Sequence, residues 1–150
     1  MPKEPFVSFN IKTLSHMIKH HIDRAICRST PGDVPPPTGV QGFIIGFIAH
    51  HDGHDIFQRD IERELHIRRS TATGILKLME KNGWIIREPV PYDARLKKII
   101  LTPKALNHHH YIMSLLDQTE AKLVRNISNK DLAVFNRVIE QMKKNLEATP

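Results

Sequence analysis

At 150 residues and 17.3 kDa the chain has room for one ordinary domain, or a small domain with helical extensions, but not for two full domains. With 40% apolar and 25% charged residues it can bury roughly 70% of its extended-chain surface, which excludes global disorder. Its 22 basic side chains outnumber 16 acidic ones, for a net charge of +6 and a pI near 9.6.

The location of that excess is more informative than its size. Residues 1–55 carry five basic and five acidic side chains, and residues 105–150 carry six and five. Residues 56–104 carry eleven basic and six acidic, net +5. A basic sub-region between neutral flanks is the footprint of a segment that faces a polyanion, although an ordinary basic surface has the same charge. No apolar run approaches the 18 or so residues of a membrane helix, and Met1-Pro2-Lys3-Glu4-Pro5 lacks the apolar core of a secretion signal, so a cytoplasmic location off the membrane is expected. The single Cys27 excludes an intramolecular disulfide framework and any Cys-based four-ligand zinc knuckle.

In chain order, Ile11, Leu14, Ile18, Ile22 and Ala25 recur at three- and four-residue intervals and predict a first helix over 11–28. Pro31-Gly32 and Pro35-Pro36-Pro37 cannot continue it. A short second helix from Thr38 carries Val40, Phe43, Ile44, Phe47 and Ile48 and stops at Asp52-Gly53. Asp55 with Gln58 has the form of a capping box opening a third helix, in which Phe57, Ile61 and Leu65 share a face. After a break at His66-Ile67 comes a fourth, with Ala72, Ile75, Leu76 and Met79 inward, Arg69, Thr73, Lys77 and Lys81 outward, and Asn82-Gly83 as its left-handed stop.

The period then changes. Trp84–Val90 and Lys97–Leu101 are β-compatible runs around the turn Pro91-Tyr92-Asp93-Ala94-Arg95, which reads as a projecting hairpin. Pro89 denies the first strand a ladder donor and so places it at an edge or a strand end. Thr102-Pro103 opens a long helix with Ile112, Leu115, Leu116, Thr119 and Leu123. Ser128 with Asp131 opens the last one, with Leu132, Phe135, Val138, Ile139, Met142 and Leu146. Both are longer than a domain of this size can cover.

Two helices joined by a short turn, the second with a polar, basic outer face, match a helix-turn-helix whose second helix enters a major groove. The hairpin that follows carries Arg95 at its tip and Lys97-Lys98 on its return strand, suited to a narrow, electronegative minor groove. Helix plus basic hairpin is a winged helix. The runs Leu65–Thr73 and Leu78–Ile85, then Arg87, Asp93-Ala94-Arg95 and Ile99–Thr102, resemble the MarR family of transcriptional regulators.

That resemblance implies a mainly α fold with a small β-hairpin: a winged helix-turn-helix lobe over 38–102 and a helical dimerisation lobe built from the N- and C-terminal helices, 8–30 and 103–147. It also implies a homodimeric repressor on a palindromic operator in double-stranded DNA, released by a small-molecule effector, with Asp93 and Arg95 in the wing's Asp-x-Arg motif. The family usually has a small polar cap where this chain has Arg68, which leaves either Arg68 or Ser70 as the cap. Lys104-Ala105 stands where Lys-Gly is common. The candidate DNA-contacting residues are Arg68, Arg69, Ser70, Thr71, Thr73 and Lys77 on the helix and Arg95 and Lys97 on the wing, with Arg87 and Asp93 expected to pair as wing support. Gly74 on the same face either permits close approach to a duplex or merely weakens the helix.

Ten histidines raise a second reading, a zinc sensor or ligand-binding module, with His16, His20, Cys27 and His108 as its candidate ligands. Unspecific spacing makes solvated histidines the simpler account, and the expected effector is a small aromatic molecule or a metal. No Gly-rich phosphate loop, nucleophile elbow or His-Glu-x-x-His is present, so neither an enzyme nor a cofactor is expected.

Overall fold

The computed structural model describes residues 6–29, 35–51 and 53–148. In chain order the elements are helices α1 (Val7–Ser29) and α2 (Gly39–His50), strand β1 (Ile56–Phe57), helices α3 (Gln58–Leu65) and α4 (Arg69–Lys81), strands β2 (Ile85–Val90) and β3 (Asp93–Leu101), and helices α5 (Pro103–Leu123) and α6 (Asn129–Glu147). The fold is thus mainly helical with a winged helix-turn-helix. Two compact units divide the chain, Met1–Leu115 and Leu116–Pro150, and α5 runs from one into the other. Met1–Pro5, the Pro31-Gly32 break and Asp52 of the Asp52-Gly53 stop lie outside the described residues.

Local chemistry sets the helix starts. Thr38 Oγ1 accepts the Gln41 N–H at 3.4 Å while Gln41 Oε1 accepts the Thr38 N–H at 3.1 Å, a reciprocal box that satisfies two orphan donors at the head of α2. Thr102 Oγ1 accepts the Ala105 N–H at 3.2 Å at the head of α5, and Ser128 Oγ accepts the Asp131 N–H at 3.1 Å at the head of α6. Gly83, at φ 73°, supplies the left-handed turn after α4 that a side chain would strain.

The opening of α3 differs from the expected one. Ile56 and Phe57 are extended and pair with Ile99 and Lys98 of β3, so the hairpin is in fact a three-stranded antiparallel sheet in the order β1-β3-β2. A β-branched residue beside an aromatic one fits a half-buried pleated surface better than a first helical turn. Asp60 Oδ2, not a box from Asp55, accepts the Phe57 N–H, at 2.9 Å. Asp55 pairs instead with Lys98, at 3.3 Å. Pro89 sits in β2, an edge strand, as its missing donor requires.

The core of the first unit gathers residues from every described element of that unit except α1: Ile44 and Ile45 of α2, Ile56 of β1, Ile61 of α3, Leu76 and Met79 of α4, Ile85 of β2, Ile99 of β3 and Ala105 of α5. Each of the larger side chains contributes roughly 1.5–3 kcal/mol by leaving water. In the second unit α6 has no buried residue, and its Phe135 and Val138 are exposed. Leu76→Ala should destabilise the chain by about 2–5 kcal/mol and Thr38→Ala by about 1 kcal/mol. Urea unfolding midpoints check the pair, and equal losses would contradict the core assignment.

Candidate nucleic-acid interface

Helices α3 and α4 are joined through His66, held left-handed at φ 51°, with its N–H on Arg63 O at 3.3 Å and that of Ile67 on Glu62 O at 3.1 Å. Arg68 is the N-cap, extended at φ −73° and ψ 152°, and its side chain makes no capping bond. Ser70 therefore lies inside the first turn and does not cap it. The uncapped turn leaves its free amides beside the exposed hydroxyls of Ser70 and Thr71. Ala72, Leu76 and Met79 are buried and Ile75 is half-buried, which turns Arg69, Lys77 and Lys81 to solvent. Nothing lies within 4 Å of where a Cβ would stand on Gly74, so the outer face is open there.

Thr73 departs from the outward set. Half-buried, its hydroxyl donates to Arg69 O at 2.8 Å and accepts from Gln58 Nε2 at 2.9 Å. Gln58 also donates to Glu62 Oε1 at 2.9 Å. Thr73 therefore joins α3 to α4, because its position flanks the buried stripe instead of opposing it. Gln58 is a residue that periodicity cannot find, since its partner lies 15 residues away.

The wing also differs in detail. Val90 pairs with Asp93 and Pro89 with Lys97, so the tip turns at Pro91-Tyr92 and Ala94–Leu96 bulge from the ladder. Arg95 thus belongs to β3 and not to the turn, exposed on that bulge, with its N–H donated to Asp93 Oδ1 at 2.9 Å. The expected Arg87–Asp93 pair does not form. Arg87 in the middle of β2 reaches Glu80 on α4 instead, donating from Nη2 at 2.6 Å and Nε at 3.1 Å to Glu80 Oε2. Arg87's hydrogen bonds hold the Glu80 carboxyl below its usual range, with help from the charges of Arg87 and Lys97.

Eight of the eleven basic side chains of residues 56–104 sort into two groups. Arg87 is engaged by Glu80, Lys98 by Asp55 and Lys104 by Asn82 O. Arg68, Arg69, Lys77, Arg95 and Lys97 are exposed, and their side chains enter no hydrogen bond or ion pair with other described residues. Positive charge on two neighbouring projections, none of it held in a salt bridge among the described residues, is chemistry suited to phosphates and base edges.

The histidines fall elsewhere. The His16 and His20 rings meet edge to face at 4.8 Å on successive turns of α1, and Cys27 is exposed further along it. His108 packs its ring 5.3 Å from that of Trp84, so it is not gathered with the other three. Among the described residues no three His, Cys, Asp or Glu side chains form a metal-holding group. A cleft of about 390 Å³ opens beside α2, β3 and α5, walled by Ile48, Ala49, Ile100, Leu101 and Leu106 and by His50, His109 and His110. Burial pushes the His108 and His109 rings below the usual histidine range, with neighbouring positive groups acting in the same sense: His109 and Lys104 on His108, and His50 and His110 on His109.

Comparison with known proteins agrees with this geometry. Residues 33–96 match the model of the MarR family. Staphylococcus aureus MepR in complex with DNA superposes with a TM-score of 0.78 at 24% identity, covering 93% of this chain and 98% of that one. MepR bound to ethidium bromide gives 0.74 at 24% identity, covering 95% and 98%. A further structure of MepR, described as a transcription regulator of the multidrug efflux pump MepA, gives 0.73 at 23% identity, covering 95% and 99%. Among the described residues no helix is long and apolar enough to cross a membrane.

The two shifted histidines set a pH dependence. The unfolded chain takes up protons on these rings near roughly pH 6.5, whereas the folded chain binds them only at lower pH. Stability is therefore complete above that range and falls as acid is added through it. His108→Phe, which keeps a ring against Trp84, should lose less stability between about pH 7.5 and 5.5 than the wild type in urea unfolding. An equal loss would show that His108 does not titrate in that window.

Proposed function

We propose that the chain is a member of the MarR family, whose model matches residues 33–96, and a sequence-specific, homodimeric transcriptional repressor whose α4 enters the major groove of a palindromic operator while the wing lies along the flanking minor groove. The observation that carries the reading is the exposed charge of Arg68, Arg69, Lys77, Arg95 and Lys97, none of them in a salt bridge among the described residues, on two projections anchored in one core. Ser70 and Thr71 add hydroxyl donors to the same face, Thr73 holds α4 on α3, and Arg87 and Asp93 support the wing. MepR, which shares the fold, has been seen bound to DNA and is named as the transcription regulator of a multidrug efflux pump.

Self-association is supported by apolar surface that the chain leaves open: Phe9, Ile11 and Met17 on α1, and Phe135, Val138 and Leu146 on α6. We assign these faces, with α5, to a second copy. The cleft beside α2, β3 and α5 is within the size range of small-ligand sites, and MepR has been seen with ethidium. This supports a small aromatic effector.

A duplex selected by the protein from a random-sequence pool should contain a dyad with half-sites roughly 10 base pairs apart, and binding should fall steeply with salt. In fluorescence anisotropy, Arg95→Ala should weaken binding and reduce the salt slope by about one. Arg69→Ala should cost about 1–3 kcal/mol and relax preference at one base position. Salt-insensitive binding with no selected dyad would overturn the assignment.

A further inference from the structure

We propose that the Glu80–Arg87 ion pair is a strut that fixes the wing at a set angle to α4, so that both residues govern DNA affinity without touching DNA. The inference rests on the DNA-binding reading above and adds positioning residues to it.

Glu80 lies in the last turn of α4 and Arg87 in the middle of β2, and between them the chain turns through Gly83 at φ 73°. A glycine in a left-handed turn is a point about which a helix and the strand after it can swing. The root of the sheet is held at that point by Trp84 and Ile85, buried in the core, and by the Thr102 hydroxyl on Gly83 O at 2.7 Å. The forked contact of Arg87 Nε and Nη2 on Glu80 Oε2 is the one side-chain hydrogen bond among those described that joins α4 directly to β2, and it lies on the solvent side, away from those core contacts, where it constrains the angle between the two elements further. Lys97, which pairs across the sheet with Pro89, feels the same carboxylate.

The consequence is geometric more than energetic. A partly exposed ion pair adds little to global stability, and the Glu80 side chain is 40% exposed against 20% for Arg87. The groups assigned to DNA, Arg69 and Lys77 on α4 and Arg95 on the wing, lie on either side of the Gly83 turn. Their spacing is set by the angle that the strut fixes, and a duplex offers its two grooves at a fixed separation. Arg87, already committed to a carboxylate, is not free to neutralise a phosphate.

The test uses a sign. Glu80→Ala removes a negative charge from a DNA-facing region and places a better helix former in α4, so simple electrostatics requires tighter binding. The strut requires weaker binding, by about fivefold or more. Wild type, Glu80→Ala, Arg87→Ala, the double alanine variant and the charge-swapped Glu80→Arg/Arg87→Glu variant would be titrated onto the duplex selected by wild type, over a salt series, with urea unfolding in parallel.

The expected result is weakened binding in both single variants, a double variant no worse than either, partial recovery in the swap, and unchanged salt slopes. Glu80→Ala binding as tightly as wild type or tighter, or a slope shallower by about one in Arg87→Ala, would overturn the strut. If wild type selects no duplex, the DNA-binding reading fails instead. Hydrogen exchange then decides the strut: β2 and β3 amides exchanging faster in Glu80→Ala support it, and unchanged exchange refutes it.

Discussion

The fold of the first unit turns on Trp84. Its N–H closes the end of α4 on Met79 O at 2.9 Å, and its carbonyl accepts the Thr102 N–H at 3.2 Å. Thr102 Oγ1 donates to Gly83 O at 2.7 Å. The indole lies under Lys104 Nζ at 4.1 Å from the ring centre, with His108 packed at 5.3 Å. The end of α4, the start of β2 and the first turns of α5 are thus tied to one residue. Lys104 strengthens the joint by donating to Asn82 O at 2.9 Å, a cation placed where the helix leaves its last carbonyls unpaired. The head of α5 is therefore joined to the end of α4 around the buried Trp84, and the lower affinity of His108 for a proton follows from its partial burial beside that ring.

Around that joint the charge divides into structural and free parts. A net +5 over 56–104 treats its eleven basic side chains alike, but three of them are spent inside the fold: Arg87 on Glu80, Lys98 on Asp55, Lys104 on the α4 terminus. Those three brace β2 against α4, β3 against the loop before β1, and α5 against α4. Of the others, Arg68, Arg69 and Lys77 stand at the head and on the outer face of α4, and Arg95 and Lys97 on β3. The bulge matters here because it breaks the ladder at Ala94–Leu96, where Arg95 stands exposed. In the proposed complex, the bracing residues would set where the free ones meet DNA.

Much of this could be read from the chain. Apolar spacing located the helices, and the caps at Thr102 and Ser128 form as their residue types require. Pro89 correctly marked an edge. What escaped shares one cause, partners distant in sequence. Two residues of β1 carry no period of their own and exist only because β3 offers Ile99 and Lys98. Glu80 and Arg87 are seven residues apart across a helix end and a turn, so no helical or strand spacing relates them. Asp93 sat close enough to Arg87 to suggest a pair, but it serves its own turn by accepting the Arg95 N–H. The outward or inward sense of Thr73 was ambiguous because it borders the buried stripe, and Gln58 decides it.

The neutral flanks have a physical role in the proposed dimer. Two copies of a chain with net +6 repel each other, and that repulsion acts where the charge is, in residues 56–104. Residues 1–55 and 105–150, near neutrality, meet little electrostatic opposition when their exposed apolar faces on α1 and α6 come together. The same charges would then hold the 56–104 segments of the two copies apart. Separation suits two recognition helices that must reach successive major grooves of one duplex, where the phosphates between them supply the counter-charge that the protein lacks. In the proposed dimer, segregating charge from apolar surface along the chain would favour association through its ends and polyanion binding at its centre.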